Sequence, residues 1–383
     1  MRAIKEQKCL RLNTKLTKTI ITLTSLEKLK YLRRDVNWED EEERRDFLSQ
    51  LHPLITDWEG QLPNLRDIFR PEEIDWLLTE SVLFDNAFDT NSLIDFVIDS
   101  GYKDELVFDE DGKPLLRRTT PLHQVVSIDL ARLLPKLFKI YQRSDANYTT
   151  EFGFSHFHVA CMNGFNDIVQ EFLEFGQDPN CFSEEPYTTS SVDLAPPLHL
   201  ALRGDHWSTA ELLLRSGADP NSCDTDGWTV LHSLQNEEMA EMLFEFCDKI
   251  EKPVQVDAHN ELIDTPLCLA VRSVNEKFIE LLLKRGADPN LPNEDGSTPL
   301  HIMARNHCLH NDGLAGLFFR IIDEAHKQVQ IDSLNKLGRT PLQLAVANVQ
   351  PCMVDVLLDC GADLSRFVFP AKRSLRRGRA AAV

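Results

Sequence analysis

Histidine and cysteine are the side chains whose spacing could do chemistry in this chain. His307-Cys308-Leu309-His310 places three metal-ligating side chains within four residues, and His156 with His158 sets two imidazoles two residues apart. A structural zinc site needs four such ligands, usually as two spaced pairs. No second Cys or His pair at ligand spacing accompanies either group, so His307 to His310 reads as a surface insertion. Nine cysteines, at positions 9, 161, 181, 223, 247, 268, 308, 352 and 360, are odd in number and lie mostly inside helical or turn patterns. They read as thiols of a reducing, soluble compartment. Signatures of phosphate-binding loops, serine hydrolases, zinc proteases and kinases are absent. The chain is therefore expected to be no enzyme, with no catalytic, cofactor-binding or metal-ligating residues.

His156 and His158 belong instead to a phrase that recurs seven times. Thr298-Pro299-Leu300-His301 and its variants begin at Thr120, Ser155, Pro196, Thr229, Thr265, Thr298 and Thr340, with spacings of 35, 41, 33, 36, 33 and 42. A second phrase, Gly-x-Asp-Pro-Asn, closes several units: Gly176 to Asn180, Gly217 to Asn221, Gly286 to Asn290 and, more loosely, Gly361 to Ser365. Two phrases locked to one period mark a stack of like units.

The elements follow from side-chain physics. Threonine offers a capping oxygen and proline at the first helical position loses no hydrogen bond, so a helix starts at each phrase. Small residues such as Ala160, Ala201, Ala270 and Ala345 let a partner helix approach, while Leu198, Leu231, Leu267, Leu300 and Leu342 fill the groove between them. A second, more apolar helix follows, as in Phe278 to Leu283, and Gly286 behind Lys284-Arg285 fits a left-handed stop. Glu294-Asp295-Gly296 then reverses the chain.

These phrases make the chain resemble the ankyrin-repeat family over residues 119–369. The resemblance implies an all-α solenoid of stacked helix-turn-helix units, each with a β-hairpin finger. It also implies that Thr and His of the tetrapeptide bond to each other. Cys268, Gln343 and Pro196 depart from the pattern and put the bonding of their units in doubt. The run from Gly101 to His123 further resembles a lead-in found in a group of insect ankyrin-only proteins. The resemblance also implies asparaginyl hydroxylation at Asn221 and Asn290, each with Leu eight residues upstream (Leu213, Leu282).

Seven units occupy 119–369 in this reading, and residues 35–118 form a helical region with a degenerate capping repeat at about 70–118. Residues 1–34 and 370–383 are basic and expected to be disordered. Residues 1–34 carry net +8 and residues 366–383 net +6 of a total of −20, leaving −34 on the body. Such a body argues against nucleic acid and for a basic or apolar protein partner. No apolar run approaches the roughly 18 residues of a membrane span, and neither a cofactor nor a small-molecule substrate is expected.

The expected function is a non-enzymatic protein-protein interaction scaffold with a concave, acidic face. The alternative is a substrate-recognition subunit of a ubiquitin ligase, for which Leu62-Pro63-Asn64-Leu65 faintly echoes an F-box start. Expected contact residues are Trp228, in a slot filled by Ser297 and Arg339 in sister units and so exposed, Arg339 itself, and Phe182, Glu184, Glu185 and Tyr187 of a long finger. Lys372-Arg373 with Arg376-Arg377 allow nuclear entry from the cytoplasm. Units 229–262 and 298–338, lacking a clean glycine closure, are expected to be weak joints.

Overall fold

The computed structural model describes residues 23–34, 36–83, 90–127, 130–182, 195–234, 236–305 and 313–366. These form two compact units, one built chiefly from residues up to Ala160 and one chiefly from Cys161 onward. Among the described residues regular structure is helical, and strand pairing is limited to isolated bridges such as Cys223 with Thr229. The all-α repeat architecture holds.

Helices come in pairs. In the first unit α1 (Ser25–Arg34) precedes α2 (Glu41–Thr56), α3 (Pro71–Leu83) precedes α4 (Thr90–Asp99), and α5 (Pro121–Ser127) precedes α6 (Leu134–Ile140). Next in the chain are α7 (His156–Met162) and α8 (Asn166–Glu174). The second unit then holds α9 (Pro197–Arg203) with α10 (Trp207–Arg215), α11 (Val230–Ser233) with α12 (Glu237–Lys249), and α13 (Pro266–Ser273) with α14 (Glu276–Lys284). Its last pairs are α15 (Pro299–Arg305) with α16 (Leu314–Glu324) and α17 (Pro341–Ala347) with α18 (Pro351–Asp359). Helix α13 packs on its partner α14 and on α15 of the next pair, and α14 packs on α16. Leu267, Ile279, Leu282, Leu300 and Phe318 fill those seams and are fully buried. Each pair therefore needs its neighbour to cover its apolar face.

The turns are set by side chains as much as by backbone. Gly217, Gly286 and Gly361 take φ of 105°, 109° and 93°, the left-handed region that glycine enters without cost. Beyond them, Asp224 and Asn293 each accept two backbone N–H groups two and four residues ahead, at 2.9 to 3.1 Å, closing the finger on itself. Neighbouring fingers are tied in a row: Glu261 N–H donates to Asp226 O, Glu294 N–H to Leu262 O and Lys336 N–H to Asp295 O, at 3.0 to 3.3 Å.

The two units expected to be weak joints rebuild their closure. Glu251 (φ 57°) and His326 (φ 51°) adopt the left-handed conformation in place of glycine. The next residues reach back to the preceding pair: Lys252 Nζ donates to Ala218 O at 3.3 Å, and Lys327 Nζ to Gly286 O and Ala287 O at 2.5 Å. Those carbonyls lie just past helix ends, where a cation is also favoured by the dipole.

The expected disorder of residues 1–34 is corrected for its last ten. Thr24 and Glu27 cap each other's backbone, with Glu27 N–H donating to Thr24 Oγ1 at 3.3 Å and Thr24 N–H to Glu27 Oε2 at 2.9 Å, and Leu29 is fully buried. This reciprocal cap starts α1. Arg33 donates to Glu73 at 2.5 Å and Arg45 to Glu80 at 2.7 Å, fastening α1 and α2 onto α3. Within residues 71–114 two helices lead to left-handed Gly101 (φ 76°) and then to a turn closed by Asp109, the order of parts seen in a repeat.

Candidate partner-binding site

The tetrapeptide histidines are committed to hydrogen bonds. Thr229 and Thr298 backbone N–H groups donate to Nδ1 of His232 and His301 at 3.0 and 3.2 Å. The opposite ring nitrogens bond to carbonyls one unit further on, His199 to Ser222 O, His232 to Asp264 O and His301 to Arg339 O, at 2.9 to 3.0 Å. Burial pushes His123 and His199 down to about 4 and lowers His156, His232 and His301 as well, so these rings are neutral near pH 7. The three departures from the pattern are handled differently. Gln343 restores a reciprocal cap with Thr340, at 3.1 and 3.2 Å. Cys268 keeps a weak S–H bond to Leu291 O at 3.9 Å. Pro196 has no N–H, and His199 Nδ1 is left buried without a hydrogen-bond partner among the described residues.

Trp228 is half-buried, which corrects the expected exposure. Its ring sits tilted beside that of His232, centroids 6.1 Å apart, and lines a groove of about 240 Å³ with Leu231, Leu234, Leu269, Arg272 and Phe278. The groove has a cause in the chain. From the capping slot to the start of the second helix is eleven residues in the units of Thr265 and Thr340, but eight in that of Thr229. Asn236 caps α12 early, accepting the N–H of Glu238 at 3.0 Å, so α11 stops after four residues where α15 and α17 have seven. Three residues are nearly one helical turn. The space of that turn is the groove, and Trp228 partly fills it. Polar residues suffice in sister units because there the helix itself closes the gap.

The rim is charged. Arg272 pairs with buried Asp264 at 3.0 Å. Asp226, Glu261, Glu294 and Asp295 stand exposed on three successive finger tips beside exposed Leu262 and Ile263. Arg339 is half-buried; its N–H donates to Asn335 at 3.0 Å, and it holds the slot that Trp228 fills, at the far end of the finger row. Phe182 is exposed, whereas Glu184, Glu185 and Tyr187 lie outside the described residues, as does His307 to His310. Among the described residues no group of three metal-ligating side chains converges, and Cys161, Cys181, Cys223, Cys247, Cys268, Cys352 and Cys360 form no disulfide.

Asn221 and Asn290 serve as clasps between units. Asn221 donates to Pro253 O at 2.9 Å and accepts from Gln255 N–H at 2.7 Å; Asn290 does the same with Gln328 O and Gln330 N–H at 2.8 and 2.7 Å. Asn180 is a third clasp, bridging to Gly217 O and Asp219 N–H. Asp257 and Asp332 replace it in the two rebuilt units, each accepting one N–H at 3.0 Å. These were legible only as a turn motif, since the bonded partner lies over thirty residues away. A second feature without a sequence signal is the buried network of the first unit. There Arg118 pairs with Asp75 and with Asp104, while Tyr141 donates to Asp75 at 2.6 Å and Tyr148 to Asp104 at 2.5 Å. Burial pushes the Asp75 carboxyl up to about 6, against the pull of Arg118 and Tyr141.

A model of ankyrin repeats matches three times, over residues 122–222, 198–293 and 267–367. Among known proteins, human transient receptor potential cation channel subfamily A member 1 is 28% identical over 44% of this chain and 15% of its own length. Human inversin is 28% identical over 50% of this chain and 17% of its own. NF-kappa-B inhibitor alpha of Sus scrofa is 29% identical over 39% of this chain and 48% of its own. The chain spans less than half the length of each.

Proposed function

Because the chain belongs to the ankyrin-repeat family, whose repeats are protein-interaction modules, we propose that it is a non-enzymatic scaffold binding a protein through the fingers and Trp228 groove of its second unit. The observation that carries this reading is the groove itself, an apolar recess opened by a missing helical turn and bordered by exposed acidic finger tips. Such a surface suits a partner with an apolar anchor flanked by cations. The ubiquitin-ligase alternative draws no support from its one sequence cue, since Leu65 is buried in the chain's own core. Cytoplasm with nuclear entry remains the proposed location.

The test is affinity capture with the full chain, compared with Trp228→Ala and with Asp226→Lys plus Glu261→Lys. Proteins recognised by this face should be lost from both variants and released by salt. Retention of the same partners by both would place recognition elsewhere. Hydroxylation of Asn221 and Asn290 is also proposed. Peptides covering both sites, from cells containing the asparaginyl hydroxylase, should show one added oxygen on at least one of them, and complete absence of that mass would reject the assignment.

A further inference from the structure

We infer that the finger of residues 260–264 is the anchor of the recognition face, and that its occupant is an extended, basic segment of a partner protein with an apolar residue midway between two cations. This rests on the proposed role of the second unit's fingers as a binding face. Among the described residues, four fingers of that unit share one design, an Asp or Asn that opens the finger and a residue three further on in left-handed backbone. Gly227, Gly296 and Gly338 hold that slot in three of them, and Ile263, with φ 57°, holds it in the fourth. A β-branched side chain there is a strained exception. The slot also faces the next finger closely: a Cβ at Gly227 would stand 3.2 Å from Glu261 N, and one at Gly296 2.9 Å from Lys336 N. Beside Ile263 the tie between fingers, Glu294 N–H to Leu262 O, is the longest of the three at 3.3 Å.

A capping bond is missing as well. Asp224, Asn293 and Asn335 each accept the N–H two residues ahead, whereas Asn260 accepts only that of Asp264, at 2.9 Å. Leu262 N–H makes no hydrogen bond among the described residues, and Asn260 Nδ2 is buried without one. These faults fall on the finger whose tip is two aliphatic side chains, Leu262, 56% exposed, and Ile263, 45% exposed. Strain at an exposed tip gains little packing in return, and residues so held cluster at ligand-binding sites. The tips on either side are acidic. Asp226, Glu261 and Glu294 have no ion pair among the described residues, while Asp295 shares Arg305 at 3.3 Å. Fingers repeat at the ~10 Å spacing of the stacked helices that carry them, and an extended chain advances ~3.3 Å per residue. Three residues of an extended segment therefore span one finger to the next, which sets cation, apolar residue and cation three residues apart. An extended backbone also offers a carbonyl to Leu262 N–H, as in strand addition, whereas a helix bonds its carbonyls internally.

The test selects a random linear peptide library, displayed on phage, against the full chain and measures resynthesised winners by fluorescence anisotropy. Winners should carry Lys or Arg three residues to each side of a Leu, Ile, Val or Phe. Ile263→Gly should lower their affinity roughly 5-fold or more, as the loss of an interface anchor, yet raise the melting temperature by about 2 °C or more as strain is released. Glu261→Gln with Glu294→Gln should weaken them too, most at low salt. Winners without this pattern, or no winners, would overturn the inference. So would affinity unchanged in both Ile263→Gly and Leu262→Ser, or a fall in affinity accompanied by a fall in the melting temperature of Ile263→Gly. Peptides indifferent to the finger variants but lost with Trp228→Ala would move the anchor into the groove and leave binding by this face standing. Peptides indifferent to all of these variants would sink both.

Discussion

At the scale of single residues, the repeat tetrapeptide is a hydrogen-bond device whose gaps can be filled. His199 Nδ1 is buried and has no hydrogen-bond partner among the described residues, and Pro196 supplies neither N–H nor hydroxyl. Pro196→Thr restores the Thr and His pairing seen at Thr229 and Thr298, and stability should rise by about 1 kcal/mol, the net worth of a hydrogen bond or helix cap. A thermal melt that falls or stays level would show that fixing the backbone with proline matters more. Trp228→Ala separates packing from recognition. A half-buried ring lining a groove should cost about 1 kcal/mol of stability from lost apolar burial, but about 2 kcal/mol of partner affinity as an interface anchor. A melt lowered by the larger figure with affinity unchanged would remove Trp228 from the surface.

Elements are joined here by closures that tolerate substitution at a cost in strain. Glu251 and His326 occupy left-handed backbone where sister units have glycine, and their lysine neighbours compensate by holding the carbonyls of the preceding pair. Glu251→Gly and His326→Gly should each stabilise the second unit by about 1 kcal/mol, because the left-handed penalty of a side chain is removed. A lowered chemical-denaturation midpoint in both would show that these side chains contribute contacts that outweigh the strain. Length matters as much as closure. Helix α11 loses one turn because Asn236 starts α12 early, and the regular period is recovered only because α12 runs for thirteen residues against nine in α14.

Over the whole molecule, the buried histidines make stability depend on acid. A base held neutral by the fold contributes fully above its ordinary pKa of 6.5 and loses that contribution as pH falls toward the depressed folded value, about 4 for His123 and His199. Asp75 runs the other way, since a carboxyl raised from 3.8 to about 6 favours folding at low pH and disfavours it as pH rises through that window. Five histidines outweigh one carboxyl. Complete titration of one such imidazole, from 6.5 to about 4, is worth on the order of 3 kcal/mol. Calorimetry should find the melting temperature lower at about pH 5 than at about pH 7. His301→Gln, which copies the Thr340 and Gln343 pairing, should weaken that dependence. A melt independent of pH over this range would contradict the neutral assignment.

The sequence alone determined the repeat, its helix starts and stops, and the turn residues, because caps, left-handed glycines and Asx turns are interactions within a few residues. It also carried the start of α1, in the Thr24 and Glu27 pair, and the missing turn of α11, in the early Asn236 cap, though neither stands out without coordinates. Tertiary structure decided what lies opposite what. Lys252 and Lys327 act as staples, Asn180, Asn221 and Asn290 as clasps, and Asp75 with Arg118 and Asp104 as a buried cluster. Each does so through partners from fourteen to more than forty residues away. The burial of Trp228 belongs to the same class. Its neighbours include Leu269 and Arg272 of the next pair, and a one-turn gap between stacked helices exists only once those helices are stacked.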